Sequence, residues 1–240
     1  MQPYFYPFIG YLQLINSVDT FVLYEHVTFR KRTWINRNRI LDKGSGKPIY
    51  ITVPVKHGSS FNKISEIHIS SDFAWREKII NLIKFNYKKA PYFADIFPKI
   101  EESLEYSCVK IHDLNCQILR FWCATLGLDT NIVTEVEESA IENALDERAS
   151  KNQIEPKTQR VVDICNHFKK SHYINPSGGT ELYSKSDFQR LGLDLNFINP
   201  QIPAYAQFDF NHTPYLSMID TLMHLGTVQT KQLIQDVRLI

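Results

Sequence analysis

The sequence predicts an α/β fold: a mainly parallel sheet with flanking helices and a C-terminal α-rich part. Three observations carry this. Short apolar, β-branched runs alternate with stretches of helical periodicity, the order that makes parallel strands and crossover helices. No internal repeat or low-complexity linker interrupts the 240 residues. A chain of that size buries about 70% of its unfolded surface, so its core needs no disulfide or metal. One domain over 1–240 is expected, with a subdivision near 127–155 as the alternative.

The elements follow in order. Gln2 to Tyr11 holds two prolines and a glycine among aromatics, which predicts a rigid irregular loop running into a helix at about 11–15. A loop that enters a helix this way offers free N–H groups to an anion. Residues 19–24 read as a buried strand, and 49–55 as another whose end is marked by Pro54. Between them a basic segment ends in a turn at 43–48. Ile79, Leu82, Ile83 and Tyr87 sit at helical spacing, and that helix stops before Ala90 and Pro91. One long helix is expected over about 100–126, ended by Gly127. Residues 131–136 read as a strand.

The acidic run 135–147, with Glu135, Glu137, Glu138, Glu142, Asp146 and Glu147, reads as a solvated loop or helix. Pro156 opens a helix with an apolar stripe of Val161, Ile164, Cys165 and Phe168. A strand at 172–174, a turn at 175–179, a brief helix capped by Ser186 and closed by Gly192, and a strand at 193–198 come next. Ser217 starts a helix that Gly226 should end, with Thr227 capping the last one.

Composition excludes several functions. With 27 Lys and Arg against 26 Asp and Glu, the net charge of +1 argues against binding nucleic acid or anionic lipid by overall attraction. No apolar stretch approaches the ~20 residues that span a membrane. Four cysteines and no export signal read as reduced thiols in a cytoplasmic protein. Cys108, Cys116 and Cys123 are expected on one helix face as buried thiols, too far apart for zinc. No metal site is expected, the sequence shows no Walker or dinucleotide glycine pattern, no His-Glu-x-x-His pair and no Gly-x-Ser-x-Gly elbow, and it leaves the cofactor unknown.

The most unusual segment is 30–39. It carries Arg30, Lys31, Arg32, Arg37 and Arg39, no acid, Trp34, and both Asn36 and Asn38. Guanidinium forks suit phosphate, asparagines bond hydroxyls, and an indole stacks on a ring. The alternative is a basic surface loop paired with the acidic run. In open α/β sheets ligands bind beyond the carboxyl ends of strands, which directs attention to loops after Tyr24, Val55, Val136, Ile174 and Ile198. Glu25 stands in the first of these and is a candidate base. Gln2 and Tyr11 are placed in the same cleft. Asn175 and Tyr183 flank a Ser-Gly-Gly turn whose backbone could approach a ligand, a plain tight turn being the alternative. His212, near Asp209, is either a base or a loop hydrogen-bonding group.

Several stretches together resemble the WbqC-like family: residues 2–11, 18–22, 31–40, 90–93, 173–176 and 216–220. The likeness keeps its order along nearly the whole chain. Family members usually carry a few apolar residues before the Gln-Pro, so a first strand is expected to be shortened or missing here. They commonly carry two acids after the second strand, where this chain has Glu25 and His26, so an acid-pair mechanism there would lack its second acid.

The resemblance implies a setting in bacterial surface polysaccharide (O-antigen) biosynthesis, and aminoacyl (glycyl) or acyl transfer to an amino sugar. The expected substrate is therefore a nucleotide-linked amino sugar. Arg32, Arg37, Arg39 and Lys31 would hold its diphosphate, Trp34 would wall the pocket, Asn36 would orient a hydroxyl, and Glu25 would deprotonate the amine. The order of elements is also similar to a Rossmann-like nucleotide-binding fold, by analogy. The alternatives are a non-catalytic nucleotide-sugar-binding protein and, on the Arg/Trp stripe, an RNA-binding one. Homo-oligomerisation is left open.

Overall fold

The computed structural model describes residues 1–30, 32–56, 61–72, 74–134 and 138–240. Lys31, Glu135, Val136 and Glu137 lie outside them. The chain divides into two compact units, one of residues 1–134 with 202–236, the other of 135–201 with 237–240.

The larger unit begins with helix α1 (Ile9–Asn16), nearly all buried, and strand β1 (Thr20–Val22). Strands β2 (Arg37–Leu41) and β3 (Pro48–Thr52) form an antiparallel hairpin, and β4 (Val55–Lys56) pairs antiparallel with β5 (His68–Ile69). Helices α2 (Ala74–Tyr87), α3 (Phe93–Leu104) and α4 (Ile111–Leu126) follow, and β6 (Asn131–Val133) returns parallel to β1. The smaller unit contains α5 (Glu138–Glu142), α6 (Leu145–Asn152), α7 (Pro156–His167), β7 (His172–Pro176), α8 (Lys185–Arg190) and β8 (Asp194–Pro200). Helix α9 (Met218–Gln235) belongs to the larger unit and β9 (Val237–Leu239) to the smaller.

This is a mixed α/β protein, but the expected single, mainly parallel, Rossmann-like sheet is not formed. The described strands make four small sheets. Two contain a parallel pair, β1 with β6 and β7 with β8, while β9 adds antiparallel to β8. The basic segment, expected to be loop, supplies β2. Its alternation explains this: Asn38 and Ile40 are buried while Arg37 and Arg39 point the other way, the period of a half-buried strand.

The long helix expected over 100–126 is two. The linker at 105–110 departs from helix because its backbone is used elsewhere: Ile69 N–H donates to Val109 O (2.8 Å), and Lys110 bridges His68. Cys108 therefore does not share a helix with Cys116 and Cys123. Gly127 does close α4 in the left-handed conformation. Among the described residues no helix is long and apolar enough to cross a membrane.

Cores form within each unit. In the larger, Phe5, Tyr6, Leu12, Ile15, Trp122, Leu222 and Met223 are fully buried. In the smaller, Phe188 is the centre, stacked on Tyr173 (5.7 Å between centroids) and edged by Tyr183 (5.9 Å).

Gly226 ends the first helical stretch of α9, as expected: at φ 68° and ψ −178°, a region essentially reserved for glycine, its backbone is non-helical, and a second stretch follows across the kink. A Cβ there would stand 2.6 Å from the Tyr92 ring. Gly226→Ala is expected to cost about 2–4 kcal/mol, from backbone strain plus overpacking, read as a lowered midpoint in urea at unchanged slope.

Candidate functional site

The site region is organised by an irregular loop that is buried, an arrangement that leaves backbone groups needing partners. Residues 2–7 find theirs in distant side chains. Tyr11 Oη donates to Gln2 O (2.7 Å) and Asn115 Nδ2 to Pro3 O (2.9 Å). Asn38 Nδ2 donates to Phe5 O (2.9 Å) and Tyr6 O (2.7 Å). Ser217 Oγ donates to Tyr6 O (2.8 Å), and Met218 N–H to Pro7 O (2.8 Å). Phe5 N–H donates to Trp34 O (2.9 Å), tying the loop to the basic segment. Tyr6 adopts positive φ within this strap.

Tyr11 therefore does not offer its phenol to a ligand: the hydroxyl is spent on Gln2, and burial raises its pKa well above the usual tyrosine range. The first turn of α1 is buried too, not open to an anion. Gln2 is half-buried. Met1 runs parallel beside β1, its ammonium donating to Val22 O (2.7 Å) and its carbonyl accepting from Tyr24 N–H (2.8 Å), so Gln2 emerges at the same end of β1 as Glu25.

The structure brings Arg37, Arg39 and Trp34 together. Arg37 faces Thr52 and Arg39 faces Tyr50 across the hairpin, so all four lie on its outer face. The Arg37 guanidinium lies 4.4 Å from the Tyr50 ring centroid, and that of Arg39 5.3 Å from Trp34. Arg37 Nη2 donates to Arg32 O (2.7 Å), and Arg39 Nη2 to Tyr215 O (3.1 Å). Each Nε is buried without a hydrogen-bond partner. Among the described residues neither arginine forms an ion pair, and nor do Arg30 or Arg32. Glu142, of the acidic run, is held by Arg160 in its own unit (2.9 Å). Arg32 is exposed, with its backbone in the left-handed region. Asn36 donates to Val53 O (3.0 Å), and its Oδ1 is buried without a partner.

Glu25, just past β1, is 8% exposed. The sequence reading missed its neighbour. His112, in the first turn of α4, sets Nδ1 2.9 Å from Glu25 Oε2 and Nε2 3.5 Å from Asp113 Oδ1. Neither contact is aligned as a hydrogen bond, so Glu25 Oε2 and both ring nitrogens stay unsatisfied. A lone histidine without a motif gave no signal in the sequence. Cys116 lies near enough for the Glu25 charge to add to the burial that pushes its thiol up to about 12.

A second buried centre sits at the base of the 202–215 loop. Asp220, fully buried, accepts from Tyr87 Oη (2.7 Å), Tyr205 Oη (2.7 Å) and Gln207 Nε2 (2.6 Å). Gln207 also closes the loop on Thr213, and that loop delivers the Tyr215 carbonyl that Arg39 holds. His212 contacts Tyr205 O, the loop-bonding role. His224, on the next turn of α9, packs on Phe208 and Tyr87 with Nε2 3.8 Å from Asp220. Burial lowers its pKa, and the Asp220 charge offsets this only in part. A groove of about 410 Å³ runs along α9 past Tyr205, Gln229 and Gln232, with no cation lining it.

Asn175 and Tyr183 belong to the smaller unit. The Asn175 amide donates to Tyr173 Oη, and Tyr183 packs in the aromatic core. Gly179 packs against the Asn175 amide, which would have to shift to admit a Cβ there. Among the described residues no His, Cys, Asp and Glu cluster could hold a metal ion.

The sequence profile of the WbqC-like protein family matches residues 2–232. An uncharacterized protein of Mycobacterium tuberculosis, Rv1507c, is 28% identical over 229 residues, covering 94% of this chain and 92% of that one. No solved structure matches.

Asn38→Ala strips the donor from two buried carbonyls and is expected to cost about 2–4 kcal/mol in chemical denaturation. The His224 shift sets a sign. With its folded pKa below the unfolded value near 6.5, the unfolded chain binds the proton first, so stability falls as pH drops below about 6.5. His224→Gln should flatten that part of the stability–pH curve, measured by urea midpoints between pH 7 and 5.

Proposed function

The chain belongs to the WbqC-like family, and on that footing we propose that it is a transferase of bacterial surface polysaccharide (O-antigen) biosynthesis. Its substrate is a nucleotide-linked amino sugar, and its reaction is transfer of an aminoacyl or other acyl group to the sugar amine in the cytoplasm. The supporting observation is the outer face of the β2–β3 hairpin. Two guanidiniums stacked on aromatic rings, without a carboxylate partner among the described residues and with buried unpartnered Nε atoms, suit a diphosphate. Arg37 and Arg39 take the phosphates, Arg32 and Lys31 add charge, and Trp34, 37% exposed, packs on a ring of the ligand.

In the chemical step the amine nitrogen attacks the acyl carbonyl of an activated donor. Its C–N bond forms, the donor's leaving group departs with the old bonding pair, and Glu25 takes the amine proton. The carboxylate lies just past the carboxyl end of β1, within hydrogen-bonding distance of an imidazole, and is an acceptor for a proton there.

Calorimetry with a panel of nucleotide-linked amino sugars tests the binding. At least one should bind, and Arg37→Ala or Arg39→Ala should each weaken it by about 1–3 kcal/mol. Glu25→Gln should retain binding while product, followed by mass spectrometry, disappears. Absence of binding by every member of the panel to folded protein overturns the reading. Binding without product in the wild type, with any acyl donor tried, leaves the non-catalytic binding protein in its place.

A further inference from the structure

Glu25 as a base raises a problem that the reaction scheme alone does not solve. A carboxyl that takes a proton once per turnover must lose it again, and this one is 8% exposed. The neighbouring thiols offer no route: burial and the Glu25 charge push Cys116 up to about 12, and burial with the Asp113 charge raises Cys108. The imidazole of His112 does. It spans the gap between a buried carboxylate at 2.9 Å from one ring nitrogen and the half-exposed Asp113 at 3.5 Å from the other. An imidazole is the one side chain that can accept a proton at one atom and release a different one at another near neutral pH.

We infer that Glu25, His112 and Asp113 form a proton relay from the buried base to solvent, with His112 as a positioning and shuttling residue that never touches substrate. This rests on Glu25 being the base of the proposed reaction. In each cycle the protonated Glu25 gives its proton to Nδ1 of a ring carrying hydrogen at Nε2. The imidazolium then releases the Nε2 proton toward Asp113 and water, and exchange with water restores the first tautomer: Nε2 takes up a proton while Nδ1, once the ring has turned toward solvent, gives its own to water. No bond other than N–H and O–H changes, and no electron is gained or lost.

Two features favour a relay over a static ion pair. All three buried atoms at the Glu25–His112 contact lack an aligned hydrogen bond, which is rare in a settled structural pair. Contacts of catalytic groups are often poorly aligned before ligand arrives and tighten afterwards. The ring is also placed where small motions suffice. His112 is at the second position of α4, and Asn115, one turn on, fixes the same helix to Pro3 and Ile35.

The decisive experiment reads the ring directly, with no substrate. In the full chain labelled with ¹⁵N, long-range proton–nitrogen spectra report Nδ1 and Nε2 of His112. Glu25→Gln should displace chiefly the Nδ1 resonance and Asp113→Asn chiefly Nε2, both altering the tautomer balance. An exposed control, Asp129→Asn, should move neither. If both site variants leave the ring resonances in place, the relay is overturned, whatever the protein binds.

A second readout uses turnover of the best-binding nucleotide-linked amino sugar from the panel. His112→Ala should lower kcat by about 10²-fold with KM little changed, and added imidazole should restore part of the loss. A purely structural role predicts no rescue by imidazole, and that result counts against the relay. Failure of every nucleotide sugar to bind overturns the proposed function and is told apart from failure of the relay by the nitrogen spectra.

Discussion

The larger unit depends on burying a loop that has no regular structure. Helices and sheets satisfy their own backbone, but residues 2–7 have two prolines and a positive-φ tyrosine and can do neither. Each buried carbonyl left without a donor would cost on the order of 1–3 kcal/mol. Asn38, Asn115 and Ser217 answer that cost from three separate elements, β2, α4 and the cap of α9. The loop is thus the point where those elements are fixed to one another. Ser217 N–H also donates to Arg39 O (2.8 Å), so the strap reaches the arginine face as well.

That geometry decides which cations are available. On β2 a one-residue shift of register would turn Arg37 and Arg39 inward and Asn38 outward. The two bonds from Asn38 to the loop forbid the shift. The outward arginines are then held flat by Tyr50 and Trp34, and Arg39 is pinned further by the Tyr215 carbonyl. Behind Tyr215 stands the Asp220 centre. Burying a carboxylate is costly unless it is hydrogen-bonded, and two tyrosines and Gln207 offset that cost for Asp220 while fixing the loop from 202 to 215. The polar interior therefore serves the surface: the bonds that satisfy Asp220 also order the loop whose Tyr215 carbonyl holds Arg39.

Much of this was legible in the sequence where the signal is local. The helix at 74–87 and its stop, the Gly127 closure, Pro156 at a helix start and the Ser217 cap follow from residue chemistry within a few positions. Signals that depend on distant partners were not. Residues 100–126 keep apolar spacing throughout, yet 105–110 leave the helix to pair with β5, which only tertiary contact reveals. The Arg/Trp/Asn segment stood out as a charge cluster, but its division into outward arginines and an inward asparagine needed the hairpin register. Tyr11 and Asn36 were placed among ligand contacts by residue type, and both instead hold backbone carbonyls. Glu25 was found by its position after a strand. His112 was not, because it lies 87 positions further along the chain (112 minus 25) with no motif around it.

One helix joins the inert and the reactive parts. From α4, Asn115 clamps the buried loop and Ile35, next to Trp34, while His112 one turn earlier reaches Glu25. Residues three apart share a helix face, so both side chains look toward the same side of the larger unit. Rigidity and chemistry are then set by one element: the clamp that orders the loop also fixes where the imidazole meets the carboxylate. This coupling explains why an unaligned histidine contact can persist in a well-packed interior. The backbone around it is held by bonds that do not involve the pair, which leaves the ring free to realign without disturbing the strap.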